Sequence, residues 1–200
     1  MGSLVVSMFS TLDGVMQGPG RPDEDVEGGF EHGGWQAPFA DGESGAVILE
    51  QILRQDALLI GRRTYDIWAR HWPQARDAIG DHFNGIPKFV ASTSMTEAEW
   101  AGTTVLRDVP TEVAALKDTF DEIRVWGSGE LLQTLLAADL VDRIDLFLYP
   151  VVLGAGKRVF RDGTVPARFD LVGEPRGFGT GSVLVSYARA GEPGYGTMSP

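Results

Sequence analysis

The chain of 200 residues contains no cysteine, and it has only 17 lysines and arginines against 28 aspartates and glutamates. Without cysteine there can be neither disulfides nor thiolate metal sites, which suits a cytoplasmic protein. The shortage of positive charge argues against a nucleic-acid partner, because such binding needs clustered basic residues. No apolar run is long enough to span a bilayer, so we expect no membrane partner either. These absences leave a small-molecule ligand as the expected partner.

A chain of this length fits one domain, which we place at residues 1–190, with residues 191–200 as a flexible tail. Apolar runs and helical spacing predict alternating strands and helices, followed by strands alone. The expected strands are 4–9, 57–60, 88–91, 123–126, 143–152, 168–173 and 182–189, and the expected helices are 46–54, 61–68, 112–120 and one beginning at Glu130. Pro150 suggests an edge or a bulge in the 143–152 strand. This order predicts an α/β fold whose sheet has a mixed or antiparallel C-terminal edge.

The most informative stretch is residues 123–132, which read I-R-V-W-G-S-G-E-L-L. A strand turns through Gly127, Ser128 and Gly129 into a helix whose first residues are Glu130 and Leu131. Such a turn offers unpaired backbone N–H groups to an anion, and glycine allows a phosphate to approach the backbone. It is not the Rossmann fingerprint, because a leucine stands at the third glycine position. Similar turns also occur where nothing binds, so this stretch alone is a weak signal.

Two further turns have residues suited to phosphate. Gly61, Arg62, Arg63 and Thr64 follow one strand, and Ser92, Thr93 and Ser94 follow another. Arginine binds phosphate through two parallel hydrogen bonds, and hydroxyl groups can hold a phosphate ester or a ribose. Taken singly, the arginines could be surface cations and the serines could cap a turn. Because ligands of open α/β sheets lie beyond the carboxyl ends of strands, the three turns together favour a dinucleotide.

Several segments together resemble a known superfamily. They are S-T-L-D-G at 10–14, A-L-L-I-G-R-R-T-Y at 57–65, K-F-V-A-S at 88–92, V-W-G-S-G-E-L at 125–131 and L-Y-P-V-V-L-G-A-G at 148–156. Their order resembles the dihydrofolate reductase-like superfamily, and most of all the reductase domain of bacterial riboflavin biosynthesis with its stand-alone relatives. The similarity covers the chain from about Leu4 to Arg189.

The resemblance implies a three-layer α-β-α sandwich with a mostly parallel sheet, a homodimer, and an NADPH-dependent reductase of a small heterocyclic or carbonyl substrate. It implies that the pyrophosphate lies near residues 127–131 and the adenosine phosphate near 62–64 and 92–94. The nicotinamide would then lie near Gly14, Val15 and Met16. Val15 stands where the riboflavin-pathway reductases have a lysine, and neither Asp41 nor Glu50 matches the carboxylate that holds a pterin. A non-catalytic nucleotide-binding module and a flavin-linked reductase remain alternatives.

Other residues complete the candidate site. Asp13 could orient a substrate or relay a proton, although bonding to the turn backbone explains it equally well. Trp35 and Tyr149 could contact a flat substrate, or they could simply be buried. The lid segment, residues 13–45, is too long for an ordinary connection and is expected to cover the ligand. Its acids Asp23, Glu24, Asp25 and Glu27 suggest a solvated loop, Lys157 and Arg158 are possible anion contacts, and the histidines lack metal-ligand spacing.

Overall fold

The computed structural model of the protein describes residues 1–198 as one mixed sheet with helices on both faces. The strands are β1 (Ser3–Thr11), β2 (Ala57–Gly61), β3 (Lys88–Ala91), β4 (Thr103–Leu106), β5 (Glu122–Trp126), β6 (Arg143–Tyr149), β7 (Arg168–Leu171), β8 (Arg176–Gly177) and β9 (Val183–Gly191). The helices are α1 (Gly42–Arg54), α2 (Arg62–Trp68), α3 (Ala78–Gly85), α4 (Val109–Leu116) and α5 (Gly129–Ala137). No helix in this range is long and apolar enough to cross a membrane.

The strand order in the sheet is β4-β3-β2-β5-β1-β6-β9-β7, with β8 paired to β9. The first six strands in this order, from β4 at the edge to β6, run parallel to one another. β9 runs antiparallel to β6, β7 and β8. β1 lies at the centre and is buried on both faces, which is why it reads as an almost continuous apolar run. The predicted α/β class, with a mostly parallel sheet and an antiparallel C-terminal edge, is confirmed.

Two apolar cores make the structure three-layered. On one face of the sheet, α4 and α5 contribute Val113, Leu132 and Leu135. On the other face, α1, α2 and α3 contribute Ile52, Tyr65 and Phe83 to a second buried cluster. Successive strand residues point to opposite faces, so a strand such as β5 supplies side chains to both cores. The predicted α-β-α sandwich follows from this arrangement.

Some predicted element boundaries were wrong. The helix expected at 112–120 is α4, which begins at Val109 because Asp108 caps it and Pro110 occupies its first turn. β6 ends at Tyr149 and lies between β1 and β9, so Pro150 follows the strand and marks neither an edge nor a bulge. Three elements carried too little periodic signal to be predicted, namely α3, β4 and β8. β9 includes Gly191, one residue beyond the expected end of the domain.

A buried ionic network ties the central strands together. The Arg124 guanidinium on β5 donates to Asp145 on β6 at 2.9 Å and to the Ser7 hydroxyl on β1 at 2.6 Å. Both charged side chains are fully buried. Gln51 of α1 accepts a further bond from Arg124 at 3.0 Å. The network therefore joins three neighbouring strands and fixes α1 over them.

Asp145 is held ionised in this network. Burial opposes its charge, but hydrogen bonds from Arg143 and Ser186 and the charges of Arg143 and Arg124 outweigh it and keep the pKa of Asp145 below its usual range. Because the folded-state pKa is below the unfolded value, this stabilisation is present above the unfolded pKa. It is lost as the pH falls through the folded-state pKa.

Replacing Asp145→Asn should lower the free energy of unfolding by about 1.5–3 kcal/mol, because buried Arg124 would lose its fully buried counter-charge and keep only its pair with Glu122 at 2.6 Å. Urea denaturation at neutral pH measures the change. Asp170→Asn is the matched control, since Asp170 pairs with Arg168 at 2.8 Å on the surface and should change stability by less than about 1 kcal/mol. Equal effects of the two substitutions would show that the network is not a stabilising constraint.

Candidate active site

The carboxyl ends of four neighbouring strands meet at one edge of the sheet. In spatial order they are β2, β5, β1 and β6, all parallel to one another. Each is followed by one of the segments that the sequence singled out, at residues 61–64, 127–131, 12–16 and 150–156. The parallel register alone therefore brings these segments together, as expected for a ligand site of an α/β sheet.

The turn after β5 has an unusual backbone conformation. Gly127 has φ +65° and Ser128 has φ +68°, in the left-handed region that non-glycine residues rarely adopt. Ser128 precedes the first residue of α5, and its side chain does not cap that helix. The first N–H groups of α5 thus have no side-chain cap in the described chain, and they carry the positive end of the helix dipole. This arrangement suits an anion.

The Ser128 side chain instead joins two turns. Its hydroxyl accepts a hydrogen bond from the Gly61 N–H at 2.8 Å and lies 2.8 Å from the Thr64 hydroxyl. Gly61 is close enough that a β-carbon there would lie 3.3 Å from Ser128. The segments after β2 and β5 are therefore held together by one serine whose backbone conformation directs it away from its own helix.

The segment after β1 completes the arrangement. A β-carbon at Gly129 would lie 3.0 Å from the sulfur of Met16, so these two residues are in close contact. Residues 157–159 fix Met16 from the other side, because the Met16 N–H donates to the Lys157 carbonyl at 2.8 Å and the Val159 N–H donates to the Gly14 carbonyl at 2.9 Å. Val15 is fully buried beneath them.

Two cavities lie along this edge. The smaller, of about 110 Å³, is lined by Met16, Thr64, Gly127 and Ser128 from three turns and by lid residues including Gln17 and Asp25. The larger, of about 540 Å³, lies between lid residues 27–32, Arg63 and residues 155–157. The structure thus brings Met16, Thr64, Gly127 and Ser128 to one cavity, as the sequence predicted for a cofactor.

Other predicted cofactor residues have partners within the protein. The Arg62 Nε lies 2.8 Å from both carboxylate oxygens of Asp66, one helical turn away. Arg63 forms an ion pair with Glu27 of the lid segment. The Ser92 hydroxyl accepts hydrogen bonds from the Met95 N–H at 3.0 Å and the Ser94 N–H at 3.3 Å. Ser92, Thr93 and Ser94 line neither cavity, so the turn-capping interpretation describes Ser92.

Asp13 is committed to the backbone of a neighbouring loop. Its carboxylate accepts bonds from the Thr11 hydroxyl at 2.6 Å and from the Gly154 N–H at 2.8 Å. The bond from Thr11, opposed by partial burial and supported by the N–H groups of Gly154 and Leu153, lowers the pKa of Asp13 to about 2. A carboxylate with this pKa cannot donate a proton near neutral pH. The proton-relay interpretation is therefore not supported, whereas the backbone-bonding alternative is observed.

Trp35 of the lid segment and Tyr149 at the end of β6 are buried against each other and line neither cavity. Their ring centroids lie 5.5 Å apart, in an edge-on arrangement, within an apolar cluster that includes Phe30. The Trp35 indole donates to the Gln17 carbonyl at 2.8 Å, and the Tyr149 hydroxyl accepts from Gln36 at 2.7 Å. Burial raises the pKa of Tyr149. In this conformation both residues anchor the lid, so direct substrate contact would require the lid to open.

Sequence reasoning missed Gln17, which is buried at the centre of the lid contacts. Its side-chain amide donates to the carbonyls of Asp25 at 3.1 Å and Glu27 at 3.0 Å, and its oxygen accepts from the Lys157 N–H at 3.0 Å. Asp25 and Glu27, which were predicted to lie in a solvated loop, are also paired with Lys157, and Glu27 stays 48% exposed. The only signal in the sequence was that Gln17 is a polar residue directly after the apolar Val15 and Met16.

A model of a known protein family matches most of the chain. The model of the RibD C-terminal domain matches residues 3–176. The chain belongs to this family. The RibD C-terminal match covers every segment of the candidate site described above, from the turn after β1 to residues 155–159.

One curated protein and two solved structures are similar to the chain. An uncharacterized protein, YyaP of Bacillus subtilis strain 168, is 27% identical over 194 residues, covering 92% of this chain and 93% of the relative. The diaminohydroxyphosphoribosylaminopyrimidine deaminase/5-amino-6-(5-phosphoribosylamino)uracil reductase of Thermotoga maritima is 17% identical with a TM-score of 0.61, covering 94% of this chain and 57% of that one. Dihydrofolate reductase of Enterococcus faecalis, solved with NADP(H), is 16% identical with a TM-score of 0.61, covering 94% and 96%. At these identities the two structures show the dihydrofolate reductase-like fold.

The Ser128 bridge gives a testable expectation. Ser128→Ala should lower the free energy of unfolding by about 1–3 kcal/mol, because the Gly61 N–H loses its partner while the left-handed backbone is retained. Ser128→Gly loses the same hydroxyl but relieves about 1–2 kcal/mol of backbone strain, so it should be less destabilising. Urea denaturation of both variants measures the difference. If alanine were no worse than glycine, the conformation of Ser128 would not be strained.

Proposed function

We propose that this protein is an NADPH-dependent reductase of a small heterocyclic or carbonyl substrate. The observation that carries the proposal is the meeting of Met16, Thr64, Gly127 and Ser128, from three strand ends, around one cavity beside the uncapped start of α5. Membership of the RibD C-terminal family and a shared fold with a dihydrofolate reductase solved with NADP(H) support the same conclusion. A reductase role is thus favoured by both the fold and the site.

The residues present fit a dinucleotide. The backbone N–H groups of residues 129–131 would hold the pyrophosphate, because they lie at the positive end of α5. Gly127 allows close approach of a phosphate, since it has no β-carbon and its φ of +65° suits glycine. Thr64 and the neighbouring arginines would hold the adenosine phosphate, and residues 14–16 would position the nicotinamide. When bound, NADPH would supply a hydride, while the protein orients the reactants and excludes water beneath the lid.

The residue at position 15 bears on which substrate the protein accepts. In the riboflavin-pathway reductases a lysine stands at the position of Val15. Here Val15 is fully buried, and a β-carbon placed at Gly156 would lie 2.7 Å from it. A valine in this packed position cannot supply the charge of a lysine to a substrate. We therefore propose a substrate recognised differently from that of the riboflavin-pathway enzymes.

Cofactor preference is the first test. Wild-type protein should bind NADPH more tightly than NADH, and Arg62→Ala/Arg63→Ala should remove most of that preference. Each lost charged hydrogen bond corresponds to about 1.5–3 kcal/mol, or roughly 10- to 100-fold in affinity. Fluorescence titration with both cofactors measures this. Arg70→Ala, an exposed arginine at the end of the same helix region, is the control and should leave the preference unchanged. Equal affinities of the wild type for NADPH and NADH would contradict the proposal.

A non-catalytic nucleotide-binding module is the second candidate, and the state of Asp13 favours it. The carboxylate accepts hydrogen bonds from the backbone N–H groups of a neighbouring loop, which favours a structural role for it. Oxidation of NADPH in the presence of pyrimidine, pteridine or carbonyl acceptors distinguishes the two functions. Tight NADPH binding without turnover on any acceptor would favour the module, and a coloured purified protein would favour a flavin.

A homodimer is the second part of the proposal. β9 contacts chiefly the strands β6, β7 and β8, and its side chains stay half-exposed. On one face of this half of the sheet, Val185 pairs with Leu146, and Tyr187 pairs with both Ile144 and Leu171. Leu171 is 49% exposed. Ile144 is buried beneath α5, but the apolar surface continues outward to exposed Leu171. This outer part is suited to burial against a second copy of the chain, which agrees with the family resemblance.

Light scattering at micromolar concentration should therefore give the mass of a dimer. Val185→Lys places a charge within the proposed interface and should shift the protein towards a monomer that stays folded by circular dichroism. Leu53→Lys is the control, because Leu53 is an exposed leucine on α1, away from this face. A monomeric wild type would refute the dimer, and a Val185→Lys variant that stays dimeric would remove β9 from the interface.

A further inference from the structure

The lid segment places two carboxylates on two cations of the candidate site. The Lys157 ammonium lies 2.5 Å from Asp25 and 2.6 Å from Glu27. Glu27 also pairs with Arg63, at the start of α2. The four charges come from three distant parts of the chain, so their meeting is a property of the folded lid. Two negative charges here neutralise two positive charges.

This cluster lies between the two cavities. Lys157 and Gln17 line both of them. Arg63 and Glu27 line the larger cavity, whereas Asp25 lines the smaller one beside Thr64, Gly127 and Ser128. In this conformation the cluster therefore lies where the two cavities adjoin. A dinucleotide that extends through both cavities would meet the two carboxylates.

Buried Gln17 sets the position of both acids. Its amide nitrogen holds the backbone carbonyls of Asp25 and Glu27, and its oxygen holds the Lys157 N–H. The pair of Arg63 and Glu27 is accessible to water, since these side chains are 62% and 48% exposed, whereas the pair of Lys157 and Asp25 is partly buried. Accessible ion pairs are weak, so a competing anion can replace the carboxylates. A phosphate is a strong competitor, because it binds a guanidinium through two parallel hydrogen bonds.

We propose that Asp25 and Glu27 form an internal latch, occupying Arg63 and Lys157 in place of a phosphoryl group until a ligand phosphate displaces them. This inference rests on the proposed function for the identity of the ligand, a dinucleotide. It gives Lys157, a possible anion contact from the sequence, a defined partner, and it assigns the acids of the lid a role in controlling access. Ligand binding and lid release are then one exchange of anions on the same two cations.

The latch can be tested first without any nucleotide. Asp25→Asn/Glu27→Gln removes both carboxylates, and amide hydrogen exchange in residues 18–34 should become faster than in the wild type. Asp23→Asn/Glu174→Gln is the control, because it removes the same charge from exposed positions outside the cluster. Inorganic pyrophosphate should accelerate exchange of this segment in the wild type and have little effect in the latch variant. Unchanged exchange in the latch variant, or equal acceleration in the control, would overturn the latch.

Affinity gives the second measurement. The latch variant should bind pyrophosphate and NADPH about 2- to 5-fold more tightly than the wild type, the range expected for release of exposed ion pairs. Lys157→Met should weaken both ligands by roughly 10-fold or more, through loss of a charged contact. Adding Arg63→Ala and Lys157→Met together to the latch variant should abolish the gain in affinity, because both cations that the acids occupy are then gone. A gain that persists, relative to Arg63→Ala/Lys157→Met alone, would show that the acids act only through general charge, and the latch would be wrong.

The two proposals fail in different ways. If pyrophosphate binds and the exchange of the lid responds as expected, but NADPH neither binds nor is oxidised, then the dinucleotide reductase is wrong and the anion latch stands. If NADPH binds and is oxidised while the latch variant matches the wild type in exchange and affinity, the reductase stands and the latch is wrong.

Discussion

The parallel alignment of β5, β1 and β6 is the constraint on which the rest of the structure depends. The buried pair of Arg124 and Asp145 reaches from β5 to β6 across β1, so these three strands cannot shift register without separating buried charges. Register decides where each strand ends. Because the candidate site is built from the segments that follow these ends, an ionic network in the middle of the sheet fixes the geometry of residues at its edge.

The site itself uses backbone more than side chains. Ser128 turns its hydroxyl towards Gly61 and Thr64, leaving the start of α5 without a side-chain cap. The left-handed conformation of Ser128 costs free energy, which the contacts with neighbouring segments offset. Strain at a strand-to-helix turn is typical of functional sites, where the backbone must present N–H groups to a ligand. Asp13 and Gly154 contribute by fixing the adjacent loop, so the carboxylate is structural where a catalytic group was expected.

The lid combines a firm anchor with a weak contact. Trp35 and Tyr149 bury its base in an apolar cluster, with their polar atoms satisfied by Gln17 and Gln36. Further along, the acids meet cations in an accessible position, where ion pairs exchange easily with solvent and anions. A segment with one strong and one weak attachment can open at the weak one while the rest of the protein stays folded. Breaking the weak attachment costs less free energy than breaking the strong one.

The sequence by itself determined the α/β class, the antiparallel edge, most strands, and the turns at Gly61, Gly127 and Gly14, because periodicity and glycine act locally. It did not determine which residues are free to bind. Ser92 and Asp13 were predicted to contact the cofactor or the substrate, yet partners near in sequence or space already occupy them. Nor could it show the contacts of Gln17 or the pairing of the lid acids with Lys157, which join residues distant in the chain. Only the tertiary structure decides such pairings, because they depend on the register of the sheet and the path of a long loop.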